Sequence, residues 1–113
     1  MKIKTSELYG HELNWAVAQC KGLEIYIDDG IVCLIGQPFD KKYAFWTPST
    51  DWEQAGPIIE REMISLEWTG EDWMAYIWHD REYFGSTPLL AAMRCYVDHV
   101  IGDEVEVPHE LVA

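Results

Sequence analysis

The chain has 113 residues, nearly half of them apolar (49%), with six tryptophans and a net charge of −12 at neutral pH. That is enough polypeptide for one packed core, too little for two comfortable domains, and too hydrophobic for disorder. Twenty acids against eight bases disfavour direct binding to nucleic acid, which rests on Lys and Arg neutralising phosphates.

No apolar run reaches the ~18 residues of a membrane span. The opening MKIKTSELYG carries lysines without the apolar stretch of a secretory leader. A soluble cytoplasmic protein is expected. Cys20, Cys33 and Cys95 lack the close pairing of a disulfide framework or zinc cluster, and His11, His79, His99 and His109 are scattered. Reduced, mostly buried thiols are expected, with no metal site and no cofactor.

In chain order, the 3.6-residue period predicts a helix from about Gly10 to Lys21, with Tyr9, Leu13, Ala16, Val17 and Cys20 on one face and Gly22 as its stop. Trp15 projects about 200° from Leu13, in line with Leu8, and needs cover from the N-terminal arm, the C-terminal tail or another subunit. LEIYID (23–28) alternates as a strand, Asp29-Gly30 is a two-residue hairpin turn, and IVCLIG follows as a strand apolar on both faces. From 37 to 48 the pattern is loop-like, with Phe39, Tyr43, Phe45 and Trp46 admitting a short edge strand.

TPSTDWEQAGPIIERE (47–62) reads as two short helical turns. Thr50 with Glu53 matches a capping box, Gly56 ends the first turn, and Pro57 suits the first position of the second. That leaves the side chains of Asp51 and Trp52 without an assigned structural task. MISLEWT and DWMAYIWHD (72–80) then read as strands. The second carries Trp73, Ala75 and Ile77 on one side and Met74, Tyr76 and Trp78 on the other. After a polar loop, Thr87 caps a helix with Pro88 at its first position and an apolar stripe from Leu89 to Ile101. The tail admits a short edge strand ended by Pro108. The expected fold is α+β, one domain over 1–113. Its mostly antiparallel, four- to five-stranded sheet carries two main helices on one face, in the order α-β-β-short α-β-β-α.

The runs KTSELYG, LNWAVA, STDWEQAGPIIERE, TPLLAAMRCYV and GDEVEVP resemble the NinX-like family of small phage and prophage proteins over nearly the whole chain. FDKKYAFW stands where the family pattern has a shorter, more glycine-rich loop. The resemblance implies origin in a phage or prophage and location in the bacterial host cell; it implies no reaction.

Read from chemistry, no Ser-His-Asp order, nucleophile elbow, phosphate loop or dinucleotide turn is present. Three functions are weighed. The leading one is a non-catalytic protein-interaction module that uses Asp51, Trp52, Arg61, Arg94 or Trp15. Its partner is a host or phage protein or a second copy of the chain. Trp52, Trp46 and Tyr43 admit an aromatic patch near the loop, but with fifteen Phe, Trp and Tyr in the chain core filling is their expected role. The second is an acidic decoy imitating DNA with the acids clustered at 60–72 and 98–110. The third is a small hydrolase-like enzyme pairing Asp51 with Glu60 near Arg61 and Glu62. Arg94, at the border of the last helix's stripe, should find a carboxylate or hold an anion.

Overall fold

The structure is a computed structural model that describes residues 1–36, 44–78 and 80–112. Phe39, Tyr43 and the start of FDKKYAFW lie outside the described residues, as does His79.

Among the described residues the chain forms an α+β domain with strands β1 (Lys2–Lys4), β2 (Ile25–Asp28), β3 (Ile31–Leu34), β4 (Ser65–Trp68), β5 (Trp73–Tyr76), β6 (Tyr83–Gly85) and β7 (Glu104–Glu106). Three helices, α1 (Gly10–Lys21), α2 (Trp52–Glu62) and α3 (Pro88–Val100), stand between them. All pairing is antiparallel, but it falls into three small sheets instead of one: β1–β7, β2–β3 and β4–β5–β6. The three-stranded sheet packs on α3 and the β2–β3 hairpin contacts α1 through β3. No helix among the described residues is long and apolar enough to cross a membrane.

The helix α3 is the centre of the molecule. Consecutive residues of a helix point 100° apart, yet Ala91, Ala92 and Met93 are all fully buried. It packs across β5 and β6 and against α1 and α2. Its end is the wettest part, where Val100 and Ile101, expected to continue the stripe, stand exposed. The Thr87 hydroxyl caps it as predicted, accepting from the Leu90 amide at 3.1 Å.

The first helix and the hairpin also follow the sequence closely. Gly22, at φ 68°, ends α1 in the left-handed region. Asp29 and Gly30, at φ 53° and 78°, make the tight turn between β2 and β3. The apolar second strand is covered on its far edge: Cys33 bridges Phe45, and the Trp46 amide donates to Val32 O at 2.9 Å.

The 47–62 segment departs from its predicted form. The cap is Asp51, whose Oδ1 accepts from the Glu53 amide at 2.9 Å, and the Thr50 hydroxyl turns back to Thr47 O. The two predicted turns are one helix, α2, running through Gly56 and Pro57. A proline ring normally clashes with the preceding residue's Cβ; glycine at 56 has none, so the helix continues at the cost of one backbone hydrogen bond. The Gln54 amide explains how the approach to α2 is held. It accepts from the Thr47 amide at 2.6 Å and donates to Phe45 O at 2.8 Å, standing in for a strand partner.

Two strands were not legible as such. The polar loop before α3 contains β6, and the N-terminal arm forms β1 against β7, pinned where Thr5 donates to Gly102 O at 2.6 Å. The strand predicted over 72–80 stops at Tyr76, because Trp78 turns to φ 55°.

Candidate functional site

The residues singled out from sequence do not assemble into one site. Asp51 and Glu60 sit at opposite ends of α2, nine residues and therefore about 13 Å apart along the axis. Asp51 is already occupied as the helix cap. Arg61 lies on the surface, paired with Glu62 at 3.2 Å and reaching the Tyr96 hydroxyl at 3.5 Å. An exposed pair of this kind contributes under about 1 kcal/mol. The continuous helix thus separates the groups that an acid–base pair needed together. Trp15 is partly buried and packs against the core, so its cover is intramolecular. Trp46 is core as well, at 6% exposure. It makes no surface patch with Trp52, which is 56% exposed.

Arg94 finds no carboxylate among the described residues. Its Nε donates to Leu8 O and its Nη1 to Phe84 O, both at 2.7 Å. Burial pulls its pKa below the ordinary value. The guanidinium's fixed fork lets one side chain hold two backbone carbonyls from distant parts of the chain. It is a clamp between the approach to α1, strand β6 and helix α3.

Nucleophilic and metal chemistry find little support in the geometry. Among the described residues no group of three His, Cys, Asp or Glu side chains is placed to hold a metal ion. Burial pushes the thiols of Cys20 and Cys95 up to about 12, where the reactive thiolate is absent at neutral pH. Burial, and then a hydrogen bond to Asp98, pushes the Tyr83 phenol up to about 12 as well. The unfolded chain releases these protons near 9 for the thiols and 10 for the phenol. The stability they contribute is complete below about pH 9 and lost as pH rises through 12. The urea midpoint should therefore hold level up to about pH 9 and fall steadily above it; a midpoint that climbs through that window would contradict this assignment.

The feature that sequence reading missed is the outer face of the three-stranded sheet. Side chains alternate along a strand, and Ala75 and Tyr83 are buried while α3 packs on β5 and β6. Their neighbours in register therefore face away: Ser65 opposite Tyr76, Glu67 opposite Met74, and Met74 opposite Phe84. At the rim of this face a cleft of about 250 Å³ is lined by Met63, Ser65, Tyr76 and Trp78.

Two of those four residues are strained. Besides the hairpin residue Asp29, Met63 at φ 54° and Trp78 at φ 55° are the described non-glycine residues with positive φ. Met63 ends α2 in the conformation that usually calls for glycine; the amides of Met63 and Ile64 bond back to Glu60 O and Ile59 O. A bulky side chain there costs on the order of 1–2 kcal/mol. Both are also wet: Met63 is 62% exposed and Trp78 79%. Strained backbone and exposed apolar surface at one cleft are two separate costs in the same place, a combination typical of functional sites. Alternation put Trp78 on one side with Met74 and Tyr76 without saying which side is wet, and no pattern in the sequence marks a left-handed methionine.

Residues 4–99 match the family model described as Phage_P22_NinX, Bacteriophage P22, NinX. No curated protein matches the chain.

Proposed function

Since the chain belongs to the bacteriophage P22 NinX family, we propose that it is a phage accessory protein that acts without catalysis, docking another protein at the cleft of Met63, Tyr76 and Trp78. One observation carries this reading: two large apolar residues are held in a costly backbone conformation and left in water at a single cleft. Tryptophan and tyrosine at a partly concave patch are the side chains that anchor protein interfaces, and methionine adapts to an irregular partner.

A second copy of the chain is a poor occupant. Two bodies of charge −12 repel one another, so the partner that fits is a host or phage protein with a neutral or basic contact face. The DNA-imitating reading draws less support, because its acidic clusters are partly paired. Arg81 bonds Asp98 at 3.1 Å and approaches Asp103 at 3.9 Å, and Arg61 pairs with Glu62.

Immobilised protein exposed to lysate from phage-infected cells should retain a partner, and Trp78→Gly should lose it. The same substitution, with Met63→Gly, relieves left-handed strain and should raise the thermal midpoint, so loss of capture cannot be blamed on unfolding. Capture through an apolar cleft should persist at high salt, whereas a decoy for a DNA-binding groove should release its partner steeply. If Trp78→Gly and Met63→Gly both retain the partner at full yield, docking at this cleft is refuted.

A further inference from the structure

The three-stranded sheet ends in β4 on one side and β6 on the other, and the two edges differ. Residues of an antiparallel ladder alternate between exchanging hydrogen bonds with the neighbouring strand and turning their N–H and C=O away from it. The Thr69 amide bonds Asp72 O at 2.9 Å, one step beyond the Trp68–Trp73 pair. That sets the phase of β4: Ser65 and Glu67 bond across to β5, while Leu66 and Trp68 turn their backbone groups outward. Two further bonds agree with it. Ile64, two residues before Leu66, gives its amide to Ile59 O at the end of α2. Across the sheet the same phase turns Phe84 outward from β6, and its carbonyl is the one that Arg94 holds.

A side chain therefore blocks the β6 edge. The β4 edge is open: among the described residues no backbone bond outside the ladder involves Leu66 or Trp68, and three of the four residues of β4 are exposed. Proteins usually blunt such an edge with proline, lysine or a bulge. The strand Ser65–Trp68 has no proline or lysine, and its register with β5 runs unbroken. Its side chains indicate what suits the space beside it. Leu66 and Trp68 share the face of the buried Ala75, and Trp68, though its ring lies 5.6 Å from that of Trp73, is still 54% exposed. Glu67 is exposed on the opposite face, in a protein of net charge −12.

Resting on the docking role above, we propose that the partner lays an extended segment antiparallel to β4 as a fourth strand. That segment places apolar side chains beside Leu66 and Trp68 and a lysine or arginine opposite Glu67. Bonds to the Leu66 and Trp68 backbone supply the pairing, and the side chains select the sequence. Ser65 belongs both to β4 and to the lining of the cleft, so the segment continued past it reaches Met63, Tyr76 and Trp78. A second copy of β4 fits poorly, because pairing Leu66 of each chain with Trp68 of the other sets Glu67 against Glu67.

The probe is an acetylated, amidated peptide of about six residues that alternates valine and lysine, added at millimolar concentration to ¹⁵N-labelled protein. The Leu66 and Trp68 amide resonances should move, and both amides should exchange with solvent several-fold more slowly. The same peptide methylated on its valine nitrogens should move neither, because those are the donors that face β4. A valine–glutamate peptide should bind several-fold more weakly than the lysine peptide, and Glu67→Lys, at an exposed position, should reverse that order. The proposal is overturned if the two amides do not move, if the methylated peptide binds as well as its parent, or if Glu67→Lys keeps the original order. Protection of Leu66 and Trp68 by self-association without peptide overturns it too, by giving the edge to a second copy. Loss of the edge in any of these ways leaves the cleft standing wherever Trp78→Gly still abolishes capture from lysate. Peptide pairing on β4 together with capture that survives Trp78→Gly and Met63→Gly would refute the cleft and uphold the edge.

Discussion

Gly85→Ala is expected to lower stability by about 3 kcal/mol, the upper end of what overpacking a core costs. A Cβ at position 85 would stand 2.8 Å from the Ala91 backbone nitrogen and 2.9 Å from Leu90 Cβ and Cγ. None of these atoms is free to withdraw. The Ala91 amide is bonded to Thr87 O, and the Leu90 amide to the Thr87 hydroxyl, so both belong to the capped first turn of α3. The strain must go into β6, an edge strand with β5 as its ladder partner. Displacing β6 would also pull Phe84 O away from Arg94. Urea unfolding with an unchanged denaturant slope should show the loss directly. A change below about 1 kcal/mol would mean that β6 packs on α3 less closely than the structure shows.

Arg94→Met is the second large effect, expected to cost about 2–3 kcal/mol. Each hydrogen bond to a charged group contributes about 1.5–3 kcal/mol, and the substitution removes two while keeping much of the apolar stem. The half-exposed site lets water recover part of the loss, which holds the total below the simple sum. Arg94→Lys should rescue little, since a single ammonium cannot reproduce the two-pronged fork between Leu8 O and Phe84 O. The carbonyl partners also predict a salt response. A clamp onto neutral oxygens should lose the same stability at low and high ionic strength, whereas an exposed ion pair would fade as salt rises. Measuring both variants at two salt concentrations separates the cases. A penalty for Arg94→Met that vanishes at high salt would return Arg94 to the ion-pair role expected from sequence.

These two residues show where local reading stops. Arg94 was visible in the sequence as a charge at the edge of an apolar stripe, but its partners are 86 and 10 residues away and are backbone atoms. A carbonyl carries no sequence signature, so reasoning from residue types looked for a carboxylate. Gly85 gave no signal either, because its constraint is a close approach of β6 to α3 and not a turn. Asp51 shows a subtler limit: Thr50 and Asp51 are both good caps by residue type, and in the fold Asp51 takes the Glu53 amide while the Thr50 hydroxyl bonds Thr47 O.

The sequence by itself determined those elements whose causes are local. Hydrophobic period set α1 and α3, glycine and proline placed their ends, Asp29-Gly30 turned the hairpin, and alternation assigned the faces of β5. Composition likewise settled the acidic charge. Tertiary structure alone decided what depends on distant parts of the chain coming together. It divided the strands among three sheets, merged two turns into α2 across Gly56-Pro57, and separated Asp51 from Glu60. It also set Met63 and Trp78 side by side in left-handed backbone. Short-range preferences amount to fractions of a kcal/mol per residue and are readable one window at a time. Packing many residues into one core outweighs them, and which residues meet there is a property of the whole chain.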